Sequence, residues 1–352
     1  MAYSSIIKPS DYFNTKLYTG NGGSSTDSIT GINFQPDWVW IKARNNTYNH
    51  NLYDSVRSLS SGAILSNSTA AQDSTQRISS FDSDGFTLPA TNYTYVNASG
   101  TNYVAWNWKA NGAGVSNTDG SITSTVSAST TSGFSIVTYT GTGANATIGH
   151  GLGAVPSVVF VKKTSGTGDW IGYFKALGNT KNARLNTTDA ADTNSTVWNS
   201  TTPTSSVFSV GTFGETNGSG ATFVAYCFAE KTGFSKFGSY TGNASTDGPF
   251  VYCGFKPAFI MLKNVTTAQD WQMYTFDMQP FNEFCTTSAG RLKANTSDAE
   301  STKSAFDMLS NGFKMRTNAT DINASGNQII YMAFAEDPFV SNVDGGLPTT
   351  AR

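Results

Sequence analysis

The chain has 352 residues, 13% of them charged and 13% aromatic, with a formal net charge of −2. At about 100–200 residues per domain this length predicts two to three domains. A charged fraction near half the roughly 25% of an average soluble domain, with abundant Gly, Ser, Thr and Asn, suits strands joined by polar turns. The near-neutral balance and the lack of a Lys/Arg run leave nothing to neutralise phosphates, so no nucleic-acid partner is expected. Apolar runs such as Val158 to Val161 fall far short of the roughly 18 residues a spanning helix needs, so no membrane insertion is expected either.

The chain opens on MAYSSIIKPSDYF, which lacks a basic region followed by a long apolar stretch, so no secretory signal and synthesis in a cytoplasm are expected. The first long element ends in a Tyr-Thr-Gly turn at Tyr18–Gly20, and that turn recurs at Tyr139–Gly141 and Tyr240–Gly242. A Pro-led apolar strand ending in lysine follows each time: PDWVWIK from Pro36, PSVVFVK from Pro156 and PAFIMLK from Pro257. The offsets of 120 and 101 between these prolines also relate Tyr53, Tyr173 and Tyr274, so two independent features give one alignment. Next comes a leucine segment (ILSNSTAA from Ile64, RLNTTDAA from Arg184, RLKANTSDAE from Arg291), then a strand around Phe86, Phe208 or Phe313. Each copy closes on Asn-x-Ser-Gly and an aromatic strand, beginning at Asn97, Asn217 and Asn323.

Alternating apolar and polar residues with Gly/Asn/Asp punctuation predict strands rather than helices. The expected fold is therefore all-β, as three tandem β-sandwich modules of jelly-roll or Ig-like type. The modules span residues 11–109, 134–230 and 234–336. Residues 110–133 read as a Gly/Ser/Thr-rich linker or an added hairpin, residues 231–233 are so short that the second and third modules should pack rigidly, and 337–352 form a tail.

Few residues invite a chemical reading. His50, in HNLYD, would be a candidate base or ligand, but the repeat aligns it with Trp170 and Trp271, which predicts a half-buried ring position. His150 stands in a Gly-rich turn. GHGLG and GNGG precede no helical pattern and contain no Gly-Lys-Ser/Thr, so they read as turns, not phosphate loops. Asp82 and Asp84 in FDSDGF resemble the start of a calcium loop that lacks its remaining ligands. No acid recurs in all three copies, and the nearest column is Asn49, Asp169 and Asp270, a turn position. With no nucleophile or zinc motif, no enzymatic activity, cofactor or metal is expected. Cys227, Cys253 and Cys285 include no CxxC pair. Cys227 reads as core, and a Cys253–Cys285 bridge is possible but disfavoured in a reducing compartment.

Seven tryptophans could supply sugar-stacking platforms, and Trp38, Trp106 and Trp198 are the candidate glycan or partner contacts. The competing reading is a core face, since aromatic positions recur in every copy.

In order, DYFNTKLYTGNG, FQPDWVWIKAR, HNLYDSVR, FDSDGF, YVAWNWKANG, FSIVTYTGTG, YCFAEKTGFSKFGSYTGN, GFKPAFIMLK and YMAFAED resemble a family of repetitive virion proteins of tailed bacteriophages, especially marine and cyanobacterial ones. The similarity covers nearly the whole chain. One departure is Ser58 after HNLYDSVR, where the family usually carries glycine and a short basic stretch. The resemblance implies a non-enzymatic structural protein on the virion surface, with other virion proteins as partners. As a tail fibre or tail-associated adhesin it would be a homo-oligomer, a trimer if a fibre, binding a host surface polysaccharide. The alternative is a capsid decoration protein that stabilises the head; a polysaccharide-degrading tail enzyme is a third, weaker reading. The absence of heptads or collagen-like repeats keeps decoration open.

Overall fold

The computed structural model describes residues 4, 6–278, 290–302 and 305–338. They form an all-β chain whose strand pairs are antiparallel, with three single-turn α-helices and four 3-10 turns. The first repeat contains β1 (Phe13–Thr19), β2 (Asp27–Thr30), β3 (Trp38–Ala43), β4 (Asn51–Asp54), β5 (Ser80–Asp82), β6 (Gly85–Leu88) and β7 (Asn102–Trp108), with α1 (Thr94–Asn97) before the last strand. Strands β8 (Val115–Asn117) and β9 (Ser124–Ser129) follow. The second repeat runs through β10 (Phe134–Thr140), β11 (Ala146–Gly149), β12 (Val158–Lys163), β13 (Trp170–Phe174), β14 (Lys181–Arg184), β15 (Asp192–Thr193), β16 (Val207–Val210), α2 (Gly214–Asn217) and β17 (Thr222–Phe228). The third comprises β18 (Ser235–Thr241), β19 (Phe250–Tyr252), β20 (Phe255–Asn264), β21 (Gln272–Thr275), β22 (Arg291–Lys293), β23 (Phe306–Leu309), β24 (Gly312–Met315), α3 (Thr320–Asn323) and β25 (Gln328–Pro338).

One strand order recurs three times. β1-β7-β3-β4 is repeated as β10-β17-β12-β13 and as β18-β25-β20-β21, each with a smaller sheet (β2-β6-β5, β11-β16 and β19-β24-β23). Residues 110–133 carry the β8–β9 hairpin, which extends the second large sheet beyond β10, with Val137 opposite Val126. Its strands are paired sheet, as the hairpin reading of this segment expects.

The recurring motifs have a common local cause. The Tyr-Thr-Gly tyrosine reaches over the single-turn helix of its own repeat and donates to a carbonyl there: Tyr18 to Val96 at 2.8 Å, Tyr139 to Thr216 at 2.6 Å and Tyr240 to Ile322 at 2.6 Å. The buried asparagine of Asn-x-Ser-Gly accepts from the backbone just past the glycine: Asn97 from Asn21, Asn217 from Thr142 and Asn323 from Asn243. Gly20, Gly141 and Gly242 allow this approach, since a Cβ there would lie within 2.5 Å of a carbonyl oxygen in each case.

The Pro-led strands are buried on both faces, which explains why they read as nearly continuous apolar runs rather than alternating ones. Their odd and even residues serve different cores. Val39 and Ile41, Val159 and Val161, and Ile260 and Leu262 face the smaller sheet of their own repeat. Trp38 and Trp40, Val158 and Phe160, and Phe259 and Met261 face a fourth core shared by all three repeats. Its centre is aromatic. Trp38 lies 4.4 Å from Trp108 and 4.4 Å from Tyr226 of the second repeat, and Phe13 lies 5.0 Å from Phe334 of the third. At about 25 cal/mol per Å² and 150–250 Å² per ring, each buried aromatic contributes an upper limit of about 4–6 kcal/mol.

Candidate functional site

The columns that looked chemically interesting converge on one structure, a belt that joins the repeats in a ring. Asn67, Asn186 and Asn295 each accept from the backbone N–H of the ring residue in their own repeat, His50, Trp170 and Trp271, at 3.1, 2.8 and 2.8 Å. Their amide nitrogens donate to Asn49, Asp169 and Asp270 at 2.8, 2.7 and 2.7 Å. The acidic column is thus a positioning device. The ring nitrogen then donates across to a neighbouring repeat: Trp170 to the carbonyl of Leu65 at 2.8 Å, Trp271 to that of Arg184 at 2.8 Å, and His50 to that of Lys293 at 3.0 Å.

Backbone bonds close the same circuit, from Gln72 to Thr164, Ala191 to Val265 and Glu300 to Arg44. The lysines that end the Pro-led strands reinforce it. Lys162 donates to Thr69 at 3.0 Å and Lys263 to Thr188 at 2.8 Å, both across repeats, whereas Lys42 stays within its own loop on Ala43 and Asn46. Burial lowers the ammonium pKa of all three to about 8. The belt also corrects the leucine alignment. Leu65, Arg184 and Lys293 occupy one position, so the first and third segments are displaced by one and two residues from the starts at Ile64 and Arg291.

His50 is fully buried, and its tautomer follows from its neighbours. Trp40 Nε1–H donates to Nδ1 at 2.8 Å, so Nε2 carries the proton toward Lys293. A second proton would have to sit against the Trp40 donor, and burial pushes the pKa well below the ordinary histidine value, with Lys42 adding to the shift. His150, the other histidine, is also buried, accepts from Leu152 on Nδ1, and is lowered by burial. The folded state thus disfavours the protonated form of both rings while the unfolded chain takes up protons near pH 6.5, so stability falls as pH drops below that value. Urea midpoints at pH 7 and pH 5 should show the lower value at pH 5, with the His50 imidazole still neutral by NMR in the folded protein. His50 ring resonances titrating near pH 6.5 would contradict this assignment.

The remaining candidates are placed as follows. Trp38, Trp106 and Trp198 are 2%, 1% and 2% exposed, the first two in the shared core and the third against Tyr173 in the core of the second repeat. This corrects their reading as glycan or partner contacts, because their rings point into cores rather than to solvent. Asp84 accepts from the backbone of Gly31 and Asn33, which lowers its pKa, and Asp82 accepts from Thr87; together they brace a turn. Cys227 and Cys253 are buried thiols, each pushed by burial to a pKa of about 12. Cys285 lies outside the described residues.

An open groove of about 360 Å³ lies between the first and second repeats. On one wall are Val56, Arg57, Ser61 and Gln72. The other is a row of threonines on the large sheet of the second repeat, where Thr138 lies opposite Thr125 and Thr140 opposite Thr222. Thr164 and Thr222 share a hydroxyl–hydroxyl bond of 2.7 Å. The hydroxyls of Thr123, Thr125, Thr138 and Thr140 have no hydrogen-bond partner among the described residues. Arg57 is the charged residue of the lining and is neutralised by Asp54 at 2.6 Å. The groove is therefore hydroxyl-rich and near neutral, suited to an uncharged ligand with many hydrogen-bonding groups. No single repeat contains it, which is why no motif announced it.

These features define an all-β antiparallel protein whose three repeats are interlocked by a hydrogen-bonded belt and a common aromatic core. The chain belongs to the family described as a domain of unknown function, DUF7483, whose model matches residues 8–338 and so spans all three repeats. No curated protein and no solved structure matches it.

Proposed function

We propose that the chain is a non-enzymatic structural protein of a bacteriophage virion, built as three β-sandwich modules about an approximate threefold axis. In this reading it is a tail fibre or tail-associated adhesin that binds a host surface glycan, exposed on the virion and made in the bacterial cytoplasm. The observation that carries it is the closed belt. His50, Lys162 and Lys263 bond across repeats and Asp169 and Asp270 position the asparagines of the belt, so residues that could have served chemistry are engaged in the scaffold, which suits a rigid body displaying its outer loops. The neutral, hydroxyl-lined groove supports an uncharged polysaccharide as the ligand, and the motif resemblance supports the virion setting. A homotrimer, if one forms, would assemble about a different axis, since aromatic side chains fill the centre of this chain.

That filled centre also favours the second reading, a capsid decoration protein. One copy presents three similar flanks without oligomerising, which fits a threefold position on a head lattice. Antibody labelling of intact particles separates the two: label on tails is expected, and label confined to heads would remove the adhesin. Retention of the folded protein on host envelope polysaccharide is the accompanying test of binding.

A further inference from the structure

The three repeats provide an internal comparison, and at one place on the surface the third departs sharply from the others. In the smaller sheets, Ile29, Ile148 and Val251 are equivalent buried residues, opposite Phe86, Phe208 and Phe313. The flanking positions lie on the other face of the strand. They hold exposed Ser28 and Thr30 in the first repeat, and Thr147 and Gly149 in the second, where the chain itself covers them through Ser121 and Asn117, but Phe250 and Tyr252 in the third. Phe250 is 45% exposed and Tyr252 60%, on an edge strand, so two aromatic rings stand on one face about 7 Å apart along the strand.

The surroundings are polar but balanced. Lys314 is directly opposite Phe250, with Asp307 beyond it on β23. Lys314 pairs with Asp247 at 2.7 Å and Arg316 with Asp307 at 2.6 Å, so these two cations and two anions cancel. Asp247 is 82% exposed at its side chain and keeps acceptor capacity. Opposite Tyr252 stands Gly312, which places no side chain beside that ring.

We propose that Phe250 and Tyr252 form a saccharide-stacking platform, with the Asp247–Lys314 and Asp307–Arg316 pairs as its hydrogen-bonding rim. A sugar ring has one apolar C–H face and a perimeter of hydroxyls, and it matches an exposed ring flanked by charge-paired donors and acceptors. An anionic or cationic ligand finds no net charge in that rim to complement it. This inference rests on the glycan-binding reading above and assigns that reading a second contact surface, on the far side of the chain's sequence from the groove.

The test exchanges the third repeat's outward residues for those of the first. The wild-type protein, Phe250→Ser, Tyr252→Thr and the double variant are run in affinity gels containing laminarin, soluble starch, yeast mannan or agarose-derived galactan. Both positions are solvent-facing, so circular dichroism and urea midpoints should be unchanged. Wild-type retardation by at least one glycan, weakened at least tenfold in the double variant, is the expected result. Retention that is equal in wild type and double variant would overturn the platform while leaving glycan binding itself intact. Failure of all four glycans to retard the wild type would overturn it as well. Sedimentation equilibrium completes the test, because a wild-type dimer that dissociates on making the double variant would assign the rings to self-association instead. Particle labelling is independent of every arm, so a chain found outside the virion would remove the proposed function without removing the platform.

Discussion

Trp38→Ala is expected to lower the unfolding free energy by about 3–5 kcal/mol, the usual cost of deleting a large buried ring, against a total of about 5–15 kcal/mol for a typical domain. The ring is 2% exposed and touches Trp40 and Trp108 in its own repeat and Phe134, Tyr226 and Phe228 in the second. Removing it opens the shared core at its centre, where neighbours from separate repeats cannot collapse together without breaking the belt. The loss should therefore appear in one cooperative urea transition, followed by both far-ultraviolet dichroism and tryptophan fluorescence. Separate transitions for the three repeats would show that the shared core does not couple them. Trp198→Ala makes the informative comparison, because Trp198 lies in the core of the second repeat rather than in the shared one.

A comparable loss is expected from Asp54→Ala. The Asp54 carboxylate is fully buried and accepts from Arg57 Nε at 2.6 Å, from the Arg57 backbone at 2.8 Å and from the Tyr226 hydroxyl of the second repeat at 2.7 Å. The Arg57 side chain is only 5% exposed. Alanine would leave a buried guanidinium without its counter-charge, which typically costs about 3–5 kcal/mol, whereas replacing both charges by apolar groups is often neutral. Asp54→Ala should thus be severely destabilising and Asp54→Leu with Arg57→Met much less so. Tyr226→Phe, which removes one bond to a charged acceptor, should cost about 1.5–3 kcal/mol. If the double substitution is as damaging as Asp54→Ala alone, the pair is doing more than neutralising itself.

Much of the fold is legible in the chain because each repeat states it again. The tyrosines at 18, 139 and 240, the Pro-led strands and the Asn-x-Ser-Gly turns each mark a contact made inside one repeat, and such contacts leave a periodic trace. Alignment of His50 with Trp170 and Trp271 likewise identified a scaffold ring without coordinates. What escaped was everything made between repeats. Trp38 and Trp106 could be core or platform from spacing alone, since strand alternation says which residues share a face but not what the face meets. The leucine segments misaligned because leucine is not their fixed point; Asn67, Asn186 and Asn295 are, and their role is visible only in the bonds they make. The groove draws its walls from stretches as far apart as Val56 and Phe223, and Phe250 and Tyr252 stand out only once Ser28, Thr30, Thr147 and Gly149 are known to be their counterparts.

The belt also has a direction in time. A chain is synthesised from its N-terminus, and domains commonly fold as they emerge, yet the first repeat is sealed by the third. The Arg44 carbonyl waits for Glu300, the His50 ring for Lys293, and the Thr15 hydroxyl for Thr275, 3.1 Å away in the finished protein. Until those residues leave the ribosome, the aromatic face of β3 and β7 has only the second repeat to cover it. Closing the circuit joins residues about 250 positions apart, a slow step for topological reasons. The nascent intermediate is then a two-thirds ring with an open tryptophan-lined flank, and the yield of this protein in a cell will depend on how long that flank stays uncovered.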